Sequence, residues 1–113
     1  MRPDLLTMID RVAQLREEVA SGAPHEAVLA KIEDGLSEGY AWALSGDAWS
    51  IRTEQRLHAL VNDARAPVRG PDRRVLAREH TVCQRELIAL RRELAGLRRE
   101  RDRLFADLPA PSR

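Results

Sequence analysis

Apolar residues recur every seven positions along the last third of the chain. One set is Leu76, Cys83, Leu90, Leu97 and Leu104, and the interleaved set is His80, Leu87, Leu94, Arg101 and Leu108. These are the a and d positions of a heptad repeat, which indicate a helix that packs along its length against another helix. The pattern predicts a helix over residues 72–107 whose core residues are Leu87, Leu90, Leu94, Leu97 and Leu104.

Two earlier stretches also have a helical spacing of apolar residues. Residues 4–20 carry an apolar stripe at intervals of three and four, and Ser21 and Gly22 then form a stop signal. Residues 24–65 carry a longer stripe, with one weak point at Gly46. Because the stripe continues on both sides of Gly46, we expect one continuous helix, with or without a kink, rather than a break.

The prolines fall between the three predicted helices rather than inside them. We expect a turn at residues 66–71, an N-terminal cap at Asp72 and a disordered tail at residues 109–113. The chain is therefore predicted to be a single all-α domain over residues 1–113. Its architecture is a long antiparallel helical hairpin, similar to a coiled coil, with a short N-terminal helix on its proximal end.

A register follows from the predicted turn. Residues of the two long helices should face each other where their numbers add to about 137, give or take four. Leu94 would then lie opposite Ala43, and Arg101 would lie opposite the acidic run at residues 33–38. Because a buried arginine needs a partner, this coincidence supports the hairpin.

The charges beside the heptad seam allow a rival architecture. Acidic residues occupy every g position from Asp72 to Asp107, and Arg91 and Arg98 occupy e positions. In a parallel zipper of two third helices, Glu86 would meet Arg91 of the other chain. We rank the hairpin first, because the zipper would place Arg101 against its own copy.

The distal end of the hairpin is predicted to be under-covered, because the first helix is long enough to reach only about Trp42. A second apolar line, Val75, Val82 and Ala89, also repeats every seven residues there. Trp49 lies beyond the predicted reach of the first helix, and tryptophan is enriched in interface hot spots. We therefore predict an interface formed by Trp49, Val75, Val82 and Ala89.

One weak metal-binding pattern is present. The predicted register places Glu54 and His58 opposite His80 and Cys83, and side chains of these types at such spacings can converge on zinc. No sequence motif accompanies them, so two helical histidines and a small buried cysteine are the preferred interpretation. We expect no metal and no other cofactor.

Charge and composition narrow the function. Residues 1–71 carry eight basic and eleven acidic groups, whereas residues 72–113 carry eleven basic and seven acidic groups. This complementarity favours folding one part onto the other. The arginines between 91 and 103 are interrupted by acids and lack stacking aromatics, so nucleic-acid binding is not expected. No secretory signal or membrane span is expected either, because acids interrupt the apolar runs, and we predict a cytoplasmic protein.

The pattern contains no catalytic motif, so we expect no enzyme and no small-molecule substrate. The favoured function is protein–protein interaction, with self-association into a homodimer through the distal end. The cellular role would be that of an adaptor, scaffold or small regulator. The alternative is a helix-capturing chaperone or anti-factor that uses the same surface for another protein. A metal- or nucleic-acid-binding regulator ranks third.

Overall fold

The protein is an antiparallel hairpin of two long helices with a short helix packed on one end. A computed structural model describes residues 2–22, 25–62 and 70–107. Helix α1 spans Leu5–Ala20, α2 spans His25–Asn62 and α3 spans Gly70–Ala106. α1 contacts both long helices, and α2 packs along α3. The predicted fold class, an all-α hairpin with a short N-terminal helix, is confirmed.

Both ends of α1 follow from local chemistry. The Asp4 carboxylate accepts a hydrogen bond from the Thr7 backbone N–H at 3.2 Å and another from the Thr7 hydroxyl at 2.6 Å. The carboxylate therefore satisfies one of the N–H groups that lack a partner in the first turn. At the other end Gly22 has a φ of +85°, the left-handed conformation that glycine adopts without strain.

The long helices differ from the prediction only near their ends. α2 passes through Gly46 without interruption, so the predicted continuous helix is confirmed. α3 begins at Gly70, two residues before the predicted start, so Asp72 lies in the first helical turn rather than at the cap. Pro71 is tolerated there because the first turn needs no N–H from it. The predicted positions 63–69 and 109–113 lie outside the described residues.

The core lies along the α2–α3 contact and beneath α1. Leu87, Leu90, Leu94 and Leu97 are at most 1% exposed, and Leu104 is partly buried against the same cluster. From α2 the cluster includes Val28, Ile32, Leu36, Ala43 and Trp49, and from α1 it includes Leu5, Met8 and Val12. The heptad leucines thus pack within the chain, as a hairpin requires and a parallel zipper does not.

The register of the hairpin lies at the lower edge of the predicted range. Leu94 lies against Gly39, four residues from the predicted partner Ala43. Arg101 still reaches the acidic run, and its guanidinium lies 3.5 Å from the Glu33 carboxylate.

α1 extends further along the hairpin than its predicted limit at Trp42. Leu5 lies beside Gly46, and Arg2 shares a surface depression with Trp49. On the α3 side, Arg16 donates hydrogen bonds to Glu93 at 2.9 Å and to Glu100 at 3.3 Å. Because all three side chains are at most 32% exposed, these ion pairs are partly shielded from water and fix α1 on α3.

Candidate binding groove at the distal end of the hairpin

The surface that α1 covers on the proximal half of the hairpin continues uncovered on the distal half, where α2 leads into α3. Under α1 the seam leucines are buried, whereas Leu57, Leu60 and Leu76 in the distal half are only partly buried. Val61 is 63% exposed and Val75 is 56% exposed. Two helices cannot cover both sides of their own seam, so the distal half exposes apolar surface.

Two adjoining depressions follow this uncovered surface, with volumes of about 420 and 210 Å³. We call them together the distal groove. Its walls are formed by Arg52, Arg56 and Leu60 of α2 and by Asp72, Leu76 and Glu79 of α3. Thr53 and Trp49 lie at its inner end and Val75 lies at its outer end. The groove is therefore an apolar channel with charged edges, in line with α1.

Of the predicted interface line on α3, only Val75 lines this groove, and Val82 and Ala89 lie on the same side of α3 toward α1. Val75 is exposed, whereas Val82 and Ala89 are partly buried. The three residues continue at intervals of seven to Gly96, which lies against the Arg16 side chain of α1. The line therefore belongs to the side of α3 that α1 occupies further along. The structure shows no partner on it, so its role as an interface stays a prediction.

Trp49 requires a correction. The sequence predicted an exposed anchor beyond the reach of α1, but Trp49 is only 9% exposed and belongs to the buried core. The reason is the greater reach of the N-terminal segment, since Arg2 lines the same depression. Trp49 therefore supports the inner end of the groove and leaves little of its surface for a partner.

Charged side chains on the two walls of the distal groove have opposite signs. Arg52 and Arg56 line the α2 wall, and Asp72 and Glu79 line the α3 wall. Within the described ranges no ion pair of 4.0 Å or less joins these walls. The ion pairs between helices that the structure does show lie in the proximal half and involve Glu18, Glu33, Glu38, Asp47, Glu93 and Glu100.

A partly buried polar cluster lies between the helices at the distal end. The Ser50 hydroxyl and His80 Nε2 are 3.1 Å apart, and the Gln84 side chain also contacts Ser50. Nearby, the Cys83 Sγ lies 3.9 Å from the Gly46 carbonyl oxygen. Burial raises the pKa of the Cys83 thiol, and the Glu86 carboxylate raises it further. The thiol is fully buried and belongs to the core between the helices.

The four candidate metal ligands do not come together. His80 lies beside Ser50 rather than beside His58, and Cys83 lies beside Gly46 rather than beside Glu54. Each observed partner is two helical turns from the predicted one. Among the residues that the structure describes, no three histidine, cysteine or acidic side chains form a group that could hold a metal ion.

The sequence reasoning missed the charged walls of the groove, although a signal was present. Arg52 and Arg56 are spaced by four on α2, and neither has an acidic residue three or four positions away. Glu79 has only apolar residues or cysteine at the same distances on α3. Charged side chains that have no partner within their own helix are available to groups outside it, and here these side chains line the groove.

None of the described helices has an apolar stretch sufficient to cross a membrane. The chain matches no protein-family model, no curated protein and no solved structure, so its function has to be inferred from its own residues.

Proposed function

We propose that the protein is a non-enzymatic helical interaction module and that the distal groove is its contact surface. The observation that carries this proposal is that a third helix covers only one half of the hairpin. α1 buries the proximal half of one side of the α2–α3 pair, while the same side remains open beyond Trp49. A third helix placed there would complete the three-helix arrangement that the proximal half already has.

The exposed apolar surface of the groove supplies part of the free energy of a contact, and the apolar stripe of an occupant adds its own share. Complete burial of one leucine or valine side chain contributes about 1.5–3 kcal/mol. Leu57, Leu60 and Leu76 are partly buried and Val75 is 56% exposed, so a partner could bury about half of each. The available gain is on the order of 4 kcal/mol before the entropy of association is subtracted. Such a surface fits a regulated contact better than a permanent one.

Two kinds of occupant fit this proposal. The occupant favoured by the sequence is a second copy, which would make the protein a homodimeric adaptor, scaffold or small regulator. The alternative is an amphipathic helix of another protein, as in a helix-capturing chaperone or anti-factor. The charged walls of the groove favour the second occupant, and they are considered in the next subsection.

Site-specific photo-crosslinking in the cells that produce the protein tests the contact surface. A photoreactive amino acid replaces Val75 in one variant and Ile88 in a matched control. The two residues are on the same helix and are 56% and 52% exposed, but Ile88 is not among the residues that line the groove. We expect discrete adducts from position 75 and none from position 88.

The mass of the adduct identifies the kind of occupant. A second copy gives twice the chain mass of 12.8 kDa, whereas another protein gives a different discrete mass. The additional substitution Leu76→Asp should abolish the adduct, because it places a charge in the apolar channel. The proposal is wrong if position 75 gives no adduct, or if positions 75 and 88 give the same adducts.

A further inference from the structure

We infer, on the basis of the proposed function, that the distal groove receives an amphipathic helix of another protein. This helix is about three turns long and carries basic residues on one flank and acidic residues on the other. The basic flank faces Asp72 and Glu79 of α3, and the acidic flank faces Arg52 and Arg56 of α2.

α1 shows how a helix is held on this side of the hairpin. Toward α3 it presents Arg16, which pairs with Glu93 and Glu100. Toward α2 it presents Glu18, which pairs with Lys31 at 2.6 Å. Where α2 carries an acidic residue, Glu38, α1 instead presents Arg11, which pairs with that glutamate. α1 thus presents a charge opposite to that of each residue it contacts on the two long helices, while its apolar stripe covers the seam.

The distal groove repeats this arrangement without its third helix. Asp72 and Glu79 are spaced by seven residues on α3, as Glu93 and Glu100 are, and all four occupy the same heptad position. A helix whose arginine lay between Asp72 and Glu79 would reproduce the contacts of Arg16. Asp72 and Glu79 therefore provide a second site for a basic side chain. This site lies about 30 Å along α3 from the Glu93 and Glu100 site, at 1.5 Å per residue.

The arginines on the opposite wall require an acid. Arg52 and Arg56 are four residues apart, and like charges at this spacing destabilise a helix. No acidic side chain lies three or four positions from either one. An acidic flank on the occupant would relieve this repulsion and pair with both arginines.

The dimensions of the groove set the length of the occupant. Its α2 wall runs from Trp49 to Leu60, which corresponds to about 17 Å of helix. A helix of about eleven residues fills this length. A longer occupant would meet Arg2 and the N-terminal end of α1 at the inner end of the groove.

A second copy fits the groove less well, because of its charges. Two hairpins that meet groove to groove must run in opposite directions, since otherwise their α1 helices would collide. The opposed arrangement places α2 against α2 and α3 against α3. Arg52 and Arg56 would then face the same arginines of the other copy, and Glu79 would face an acid. Like charges across an interface disfavour the complex.

Two synthetic 11-residue peptides with identical composition test the inference. Both carry the same leucine stripe. The segregated peptide has all glutamates on one flank and all arginines on the other, whereas the alternating peptide mixes both charges on each flank. Binding of each fluorescein-labelled peptide to the full chain is measured by anisotropy. We expect the segregated peptide to bind at least tenfold more tightly at low salt and the difference to shrink as salt is added.

Charge-reversal variants of the protein locate the effect. In the double variant Arg52→Glu, Arg56→Glu both walls are acidic, so the preference for the segregated peptide should disappear and an all-arginine peptide should bind best. Arg92→Glu is the matched control, because Arg92 is exposed in the proximal half away from the groove. Circular dichroism at 222 nm verifies that each variant keeps its helices.

Three results would overturn the inference. They are equal binding of the two peptides, an equal effect of Arg92→Glu and the double reversal, and a stable dimer in which position 75 is shielded. If position 75 cross-links to another protein in cells while the peptides bind equally, the assignment of flank charges fails and the proposed function stands. If position 75 cross-links to nothing, the proposed function fails whatever the peptides do.

Discussion

Replacing Gly39 by alanine tests the closest approach between the long helices. Gly39 is buried in the middle of α2, and the fully buried Leu94 of α3 lies against it. A Cβ atom at position 39 would overlap the Leu94 Cδ2 atom, and it would lie 3.3 Å from the Leu94 Cγ. The whole leucine side chain would have to move, and it has no free space to move into.

The expected magnitude is a balance of two effects. Gly→Ala inside a helix stabilises by about 1 kcal/mol through backbone entropy. Overpacking of a filled core costs about 1–3 kcal/mol. We therefore expect Gly39→Ala to lower the free energy of unfolding by about 1 kcal/mol. Gly35→Ala is the matched control. Its Cβ would lie 2.8 Å from the tip of Leu15, which is partly exposed and can yield, and 3.6 Å from the Leu97 Cδ2, an ordinary contact. This variant should therefore be as stable as wild type or more stable.

Urea unfolding followed by circular dichroism at 222 nm measures both variants, and an unchanged m-value indicates that the same transition is compared. A double-mutant cycle identifies the cause. Leu94→Ala should cost about 2–5 kcal/mol in the wild-type chain and less in Gly39→Ala, because the smaller side chain removes the clash. The reasoning is refuted if Gly39→Ala is as stable as Gly35→Ala, or if Leu94→Ala costs the same in both backgrounds.

Three further predictions concern stability, reactivity and pH. Arg16→Met should lower the free energy of unfolding by about 1–3 kcal/mol, because it leaves two partly buried glutamates unpaired. Arg11→Met, whose ion pair is largely exposed, should cost less than about 1 kcal/mol in the same urea experiment. The Cys83 thiol is 0% exposed and its pKa is raised by burial, so iodoacetamide should label it only when the distal end of the hairpin opens. Labelling as fast as that of an unfolded control would contradict the packing. Hydrogen bonds from Thr7 lower the pKa of Asp4 below 3.8. The contribution of the Asp4 carboxylate to stability is therefore complete above that pH and is lost as the pH falls through the pKa of the folded state. An NMR titration that gave Asp4 a pKa of 3.8 or higher would refute this.

The sequence determined the helices and the main core because both depend on local periodicity. The spacing of apolar residues predicted three helices and the buried leucines from Leu87 to Leu97, and the continuous stripe predicted that α2 passes through Gly46. The pairing of Arg101 with acids near Glu33 also followed, because a wide acidic run tolerates an error of one turn in register. Each of these conclusions needs only knowledge of which residues share a helical face.

The tertiary structure decided the features that depend on distances between helices. The packing of α2 on α3 places His80 beside Ser50 and Cys83 beside Gly46, each two helical turns from the partner that the sequence predicted. The reach of the N-terminal segment buried Trp49, which the sequence had assigned to an exposed interface. The charged walls of the distal groove appeared only after both long helices were positioned, since Arg56 and Glu79 are far apart in sequence. Periodicity fixes which face of each helix is buried, but the offset between packed helices depends on where each helix begins and on which side chains fit together.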